Sequence, residues 1–491
     1  MQSFSDFRTI FGQPELKGAV PFGKSASFAR GGWAVMARKP DEDIIVSSRN
    51  LGFPGELLSC AGSDITVSRL SHECAAMLRE LFPYTGPRPV LGEKRSFGVG
   101  DRLGIAAPGH IRVFEKYDAL PVLAQQSRRE LNLTGRSFDD VLDCATFGVF
   151  REGFRRGFGA DGDHLKTHEE VADALSRGYT MITLDCSGYI RTPDPGNDGK
   201  DLPERLKEDY LGKTFRLSPE SGLEIVFSEK KLADAETVYG EAVRFISSVY
   251  DRFFRGKEDS LDFEISIDET SSPTSPEDHF FVACELSRLG IKPKTMAPRF
   301  CGEFQKGIDY IGDTALFEKE FAVHAEIARH FGYKLSIHSG SDKFSVFPAI
   351  GRHTRGVFHV KTAGTNWLEA VAVAAERDPA LFRRIFAFAA GNAFAEAKKY
   401  YHVSADPSLL PDIGKMRDED LPGLFSDPNV RQVLHITYGQ ILGEKDGNGP
   451  IFRNSLFSLW RVNEQYYHDR IEKHIGKHLE LLYGKNCENI K

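Results

Sequence analysis

At 491 residues the chain is longer than one hydrophobic core usually serves, so a large domain with appended segments, or two to three domains, is expected. Its 63 basic and 70 acidic residues are interspersed, and a formal net charge of −7 provides no basic face for a nucleic-acid backbone. The seven cysteines (Cys60, Cys74, Cys144, Cys186, Cys284, Cys301 and Cys487) form no C-x-x-C pair and are odd in number. This argues against a disulfide framework or a structural zinc ribbon and for a reducing cytoplasm. The start MQSFSDFRTIFGQPELKG has no basic-then-apolar leader pattern, and no stretch approaches the roughly 18 apolar residues of a membrane span. A soluble protein without a membrane partner is predicted.

Residues 1–95 are rich in Gly and in short β-like pieces such as GWAVMAR and DIIVSS. An amphipathic helix, SRLSHECAAMLRELF, follows and is closed by PYTGPRP. These features predict an accessory segment, partly β. From there apolar runs with polar endings alternate with helical patterns: FGVGDRLGIA, LPVLAQQS, RGFGADGD, YTMITLDCS, LDFEISIDE, IKPKTMAPRF, YKLSIHSGS and GVFHVKTAGT. Between them lie crossovers such as SFDDVLDCATFGVFREGF, THEEVADALSRG, HFFVACELSRLG and FEKEFAVHAEIARHFG. Eight βα units over residues 96–380 predict a (β/α)8 TIM-type barrel, although a doubly wound open sheet would give similar units. The stretch at about 190–260 is too long for one crossover and predicts an insertion. Residues 381–491 are mainly helical and predict a C-terminal extension.

In a barrel the chemistry sits at the C-terminal ends of the strands, and here those ends are polar. The third carries Asp161, Asp163, His164 and Lys166, the fourth Asp185, the fifth Asp268 and Glu269, and the sixth Arg299 and Glu303. The seventh carries His338, Ser339 and Asp342, and the eighth His359, Lys361 and Thr362. Several such endings in register imply a polar cavity at one mouth. On the fifth strand, period-2 alternation lets only one of Asp268 and Glu269 face the axis, and Glu269, just past the last regular residue, is taken as the metal ligand. Glu269 with His338 and His164 gives a mixed N/O set suited to Zn, Mn, Co or Ni. His164 is read as ligand with Asp163 as proton carrier, or the reverse, while a barrel histidine bonded to a neighbour is the bland reading for His338. The endings HSGSDK and KTAGT place backbone N–H groups beside Lys343 and Lys361, as in barrel loops that bind anions; two tight turns with solvated lysines are the alternative. The remaining histidines, including His72, His168, His402 and His474, are read as surface residues. GVGDRLG has the wrong spacing for a dinucleotide loop, and neither a nucleophile elbow nor a Walker loop occurs.

The long motifs FGVGDRLGIAAPGH, FGADGDHLKT, ITLDCSGYI, ISIDETSSPTSPEDHFF, MAPRFCGEFQKGIDYIGD, LSIHSGSDKFSVFP and HVKTAGTNWLEA resemble the tagaturonate/fructuronate epimerase family of hexuronate catabolism. The resemblance implies a metal-dependent barrel enzyme interconverting two keto sugar acids. These differ at a carbinol carbon β to the ketone, whose C–H the carbonyl does not acidify. Retro-aldol cleavage through a stabilised enediolate, rotation of the aldehyde fragment and re-addition are therefore expected. From strand position, Asp163, Asp185 and Glu303 are candidates for the base and Lys166 for a proton carrier. Arg299, Ser339, Lys343, Lys361 and Thr362 are expected to hold the substrate. The alternatives are a metal-dependent aldolase or epimerase of phosphorylated ketoses, and a non-catalytic barrel subunit of an aldolase. A homo-oligomer is compatible with the chain.

Overall fold

A computed structural model describes residues 10–60, 62–193, 202–218, 222–270 and 272–484. Eight strands are buried along nearly their whole length on both faces, which a parallel sheet under helices requires. They are β1 (Arg95–Val99), β2 (Leu120–Ser127), β3 (Gly159–Leu165), β4 (Met181–Asp185), β5 (Asp262–Ile267), β6 (Thr295–Pro298), β7 (Lys334–Ile337) and β8 (Phe358–Thr362). Each pairs in parallel with the next, and β8 returns to β1 through Phe358 to Arg95 and Thr362 to Val99, closing the barrel. The sequence pattern left an open sheet as the alternative; the β8–β1 ladder removes it.

The predicted crossovers form helices at Phe138–Glu152, His168–Ser176, Pro276–Arg288 and Thr314–Phe331. Ser137 opens the first with a capping box to Asp140, which satisfies backbone donors that the first turn leaves unpaired. In the expected insertion a short helix, Glu204–Tyr210, and a hairpin of Thr214–Arg216 with Glu224–Val226 precede the 25-residue crossover helix Glu229–Phe253. Residues 194–201 and 219–221 of that stretch lie outside the described residues. Among the described residues no helix is long and apolar enough to cross a membrane.

The N-terminal segment forms an antiparallel sheet whose central strands are Gly32–Arg38, Asp43–Ser48 and Ser63–Arg69. Its helix His72–Leu81 packs against Phe138–Glu152, sharing a core that includes Leu78, Phe82 and Phe150. The C-terminal helices share one apolar core with the barrel, from Phe97 and Phe114 to Trp460, Ile471 and Leu479. The final predicted helix breaks at Asn463 into Arg453–Val462 and Glu464–Tyr483.

Glu464 joins three parts of the fold. Arg38 of the N-terminal sheet donates to it at 2.8 and 2.7 Å, and Arg151 of the first crossover helix donates at 2.8 Å from each of two nitrogens. Burial alone would raise its carboxyl, but Arg151 and Arg38 outweigh that and hold it well below the usual carboxylate range. Glu464→Gln is expected to cost roughly 2–3 kcal/mol in urea unfolding at pH 7, since two guanidinium groups lose a shared half-buried partner. Because the folded-state pKa is depressed, this contribution is complete above the unfolded carboxyl value of about 4.3. It declines as pH falls toward the folded value, so wild type and variant should converge in acid.

Candidate active site

The C-terminal ends of the strands open into a cavity of about 390 Å³. Its floor is an ionic cluster. Lys361, on β8 and 4% exposed, points its ammonium across the barrel. Asp161 Oδ2 lies at 2.7 Å, Asp163 Oδ1 at 2.6 Å, Glu264 Oε1 at 3.2 Å and Thr183 Oγ1 at 2.6 Å. Burial by itself lowers an ammonium pKa, but Asp161, Asp163 and Glu264 together overcome it and hold Lys361 well above the ordinary lysine value. The same exchange leaves the carboxylates unequal. Burial lifts Asp161 to about 6 against the pull of Lys361, whereas Lys361 and His164 outweigh burial at Asp163 and keep it well below its usual range.

Above this floor sit His164, Asp268 and His338, whose candidate ligand atoms all lie within 4.8 Å of one another. The two imidazole rings are 4.9 Å apart, centre to centre. His338 Nε2 donates to Glu264 Oε1 at 2.9 Å, and its Nδ1 stands 3.1 Å from Asp268 Oδ2. Burial opposes protonation of His338, but Asp268 and Glu264 raise its pKa to about 10. His164 Nδ1 bonds Asp163 Oδ1 at 2.7 Å, and its Nε2 has no hydrogen-bond partner among the described residues. Asp163 and His164 both reach the cavity although they are consecutive, because His164 adopts φ 56° and breaks strand alternation.

The structure therefore selects Asp268, not Glu269, for the cluster with the two histidines. Asp268 continues the inward face of Glu264 and Ser266, and Ser266 Oγ donates to it. Glu269 is exposed at the cavity rim. Lys166 and Asp185 also line the cavity, 3.3 Å apart, and Ser187 N donates to Asp185 at 2.9 Å. Ser339 and Thr362 line it too; Ser339 accepts from Lys306 at 3.0 Å and Thr362 donates to Gly98 O at 2.8 Å.

Three expected residues are placed elsewhere. Lys343 is buried, and its ammonium donates to the carbonyls of Gln305, Ile308 and Ser341 at 2.7–2.9 Å, which uses all three protons. It fixes a loop and has none left for substrate. Arg299 and Glu303 line an adjoining opening of about 290 Å³, and Glu303 faces Gln305 and His402. Lys361 is present in the cavity floor, but its neighbours are carboxylates that already surround it. His474 is not a surface residue: it stands 2.7 Å from Asp342 and 3.3 Å from Glu369.

Sequence reasoning missed Glu264 and Thr183 inside the strands, and Arg102, Lys306, Tyr401 and His435 at the mouth. Strand alternation could have found Glu264, which shares a face with Asp268. No local signal marks Tyr401 or His435, which reach the mouth from the C-terminal extension.

The family model described as tagaturonate epimerase matches residues 34–482. A curated tagaturonate/fructuronate epimerase of Thermotoga maritima is 46% identical over 423 residues, covering 84% of this chain and 86% of that protein. Crystal structures of the fructuronate-tagaturonate epimerase UxaE from Cohnella laeviribosi superpose with a TM-score of 0.91. The native form is 43% identical and a glycerol complex 42%; each alignment covers 97% of this chain and 99% of theirs.

Removing the cation from the floor should be severe. Lys361→Met leaves three buried carboxylates facing one another and is expected to cost about 3–5 kcal/mol in urea unfolding at pH 7. Adding Asp161→Asn should return part of that loss; a double variant no more stable than the single one would mean that the charge cluster does not set the cost.

Proposed function

We propose that this chain, which belongs to the tagaturonate epimerase family, interconverts D-tagaturonate and D-fructuronate by breaking and re-forming a carbon–carbon bond beside a divalent metal ion held by His164, Asp268 and His338. As a member of that family the chain is a carbohydrate epimerase, an isomerase.

The observation that carries the metal is the donor set itself. Hydrogen bonds to Asp163 and Glu264 occupy one nitrogen of each histidine, leaving Nε2 of His164 and Nδ1 of His338 directed to ligation. The latter makes no well-aligned hydrogen bond among the described residues, and the group nearest it is the Asp268 carboxylate at 3.1 Å, a ligand of the same proposed set. A carboxylate behind each imidazole is the usual support for a metal-bound histidine. Two imidazoles and one carboxylate, with further positions open, suit Zn, Mn, Co or Ni in a catalytic setting. When bound, such an ion supplies Lewis-acid stabilisation of negative charge on the substrate's oxygens.

The chain's own residues provide the proton chemistry. A base removes the hydroxyl proton at the carbon to be inverted. The bond from that carbon toward the ketone then breaks, its electron pair enters the ketone-bearing fragment as an enediolate, and the other fragment becomes an aldehyde. Re-addition to the opposite aldehyde face returns the proton and gives the epimer. Asp185 is the carboxylate best placed for this exchange: it lines the cavity and has Lys166 3.3 Å away to accompany its charge. Asp163 is bound to Lys361 and His164 and is better suited to hold His164 in place. Glu269, at the rim with no ion-pair partner among the described residues, is a second carboxylate within the same space.

Two experiments test the reading. Protein dialysed against chelator should lose D-tagaturonate turnover and regain it with one of the four metals. Asp268→Asn and His338→Ala should each lose bound metal and activity together, whereas Glu269→Gln should keep the metal. Stoichiometric metal in Asp268→Asn would remove Asp268 from the ligand set. In D2O, cleavage and re-addition leave the hydrogen on the inverted carbon, so the product should carry no deuterium there; solvent deuterium at that carbon would exclude the route.

A further inference from the structure

The expected anion-holding residues do not account for the substrate's carboxylate. Lys343 is used by carbonyls, Arg299 lies in the adjoining opening, and Lys361 is enclosed by acids. The cavity has other cations. Arg102 is bound to Glu130 at 2.8 and 2.7 Å and lies over the Tyr438 ring at 3.9 Å, so its charge is already answered. Lys306 differs. Its ammonium has Ser339 Oγ at 3.0 Å and, among the described residues, no carboxylate partner.

A second observation comes from the C-terminal extension. His435, on the helix Pro428–Ile436, is 1% exposed, lines the cavity, and has no hydrogen-bond partner at either ring nitrogen among the described residues. A polar ring buried in this way costs free energy unless something in the cavity engages it. Its Nε2 faces Gly364: a Cβ there would lie 1.7 Å from that nitrogen, which only glycine avoids. Gly364 is the N-cap of the 13-residue helix Thr365–Arg377, and no side chain caps that end. The helix start thus presents partial positive charge and backbone donors to the same wall. Burial, followed by the nearby charges of Arg102 and Lys306, holds the His435 pKa well below the ordinary histidine value, so the ring is neutral and carries one N–H donor.

We infer that Lys306, His435 and the start of the Thr365–Arg377 helix form an oxyanion subsite that holds the carboxylate of the sugar acid. The inference rests on the substrate reading above, and it assigns the C-terminal extension a direct part in choosing acids over neutral sugars. A cation with no carboxylate at ion-pair distance, an imidazole without a partner among the described residues and an uncapped helix end converge on one wall of the cavity. Each would be satisfied by the same planar anion.

The test uses a matched pair of unreactive polyols, D-gluconate and D-glucitol, which differ in a carboxylate against a hydroxymethyl group. By titration calorimetry the wild-type protein should bind gluconate about tenfold or more tightly than glucitol. Lys306→Met should abolish that preference while leaving glucitol affinity unchanged, and Lys306→Arg, which keeps the charge, should retain most of it. With D-tagaturonate, Lys306→Met should raise KM by about tenfold with kcat within about threefold. Equal affinity of the wild type for the two polyols, a preference surviving in Lys306→Met, equal loss of both ligands, or a fall in kcat at constant KM would each overturn the subsite. Absence of D-tagaturonate turnover in a wild type that still prefers gluconate would overturn the substrate reading and leave the subsite standing.

Discussion

The ammonium of Lys361 is the constraint around which the site is built. Three carboxylates, Asp161, Asp163 and Glu264, come from two strands opposite its own and converge on it inside the barrel. Without a cation at their centre they could not ionise together in so little water. With it, Asp163 and Glu264 remain charged, and each passes that charge outward to one histidine. The orientation of His164 and His338 is thus a consequence of Lys361, two bonds removed. Protonated, the two imidazoles bring two positive charges to this cluster. A divalent ion bound through both would displace two protons and bring the same two charges, so the proposed metal would compete with protons for these two rings.

The C-terminal helices belong to the site as much as the barrel does. They share its core, and they place Tyr401 and His435 at the mouth. A second group of potential ligands, Asp342, His474 and His478, shows how they are fastened. His478 uses both ring nitrogens, accepting from Asp342 N at 3.0 Å and donating to His474 O at 2.8 Å. Arg431 holds Asp342 Oδ2 at 2.8 Å. With its imidazole fully engaged and a guanidinium already on the carboxylate, this group is an ionic clasp between the loop after β7 and the last helix. That loop contains Ser339 and Asp342, both at positive φ, a conformation that needs such fastening to persist.

The strand endings were legible because buried parallel strands must be apolar and their polar residues must collect at one end. All eight runs in the sequence became the eight barrel strands. Where the placement of residues departs from the expectation, the physical causes are separate. The expectation of Glu269 supposes that alternation fails just past a strand, whereas Asp268 keeps the face of Glu264 and is the residue that meets His338. Alternation failed instead at His164, where a positive φ that no composition rule announces turned two consecutive residues inward. Lys343 and Lys361 look alike in sequence, each beside a glycine-rich turn, but one faces carbonyls and the other faces acids. What a lysine can do is decided by its partners, and apart from Ser341 those lie 35 to 200 positions away.

The proposed chemistry sets opposite demands on the two halves of the cavity. The fragment that becomes the enediolate must stay beside His164, Asp268 and His338, where the proposed metal would supply positive charge, and the floor of Lys361, Glu264 and Asp163 holds the two histidines rigidly. The aldehyde fragment must turn by half a revolution yet not leave. If its carboxylate is held at Lys306 and His435, the bond between the aldehyde carbon and its neighbour can still rotate, and that rotation alone exchanges the two aldehyde faces. An anchor at the far end of the fragment is therefore compatible with inversion, whereas a tight grip on the aldehyde itself would prevent it. The distribution of partners follows the same division. The floor residues are bound to one another, while Lys306, His435 and Glu269 around the mouth have no ion-pair partners among the described residues and remain available to a ligand that moves.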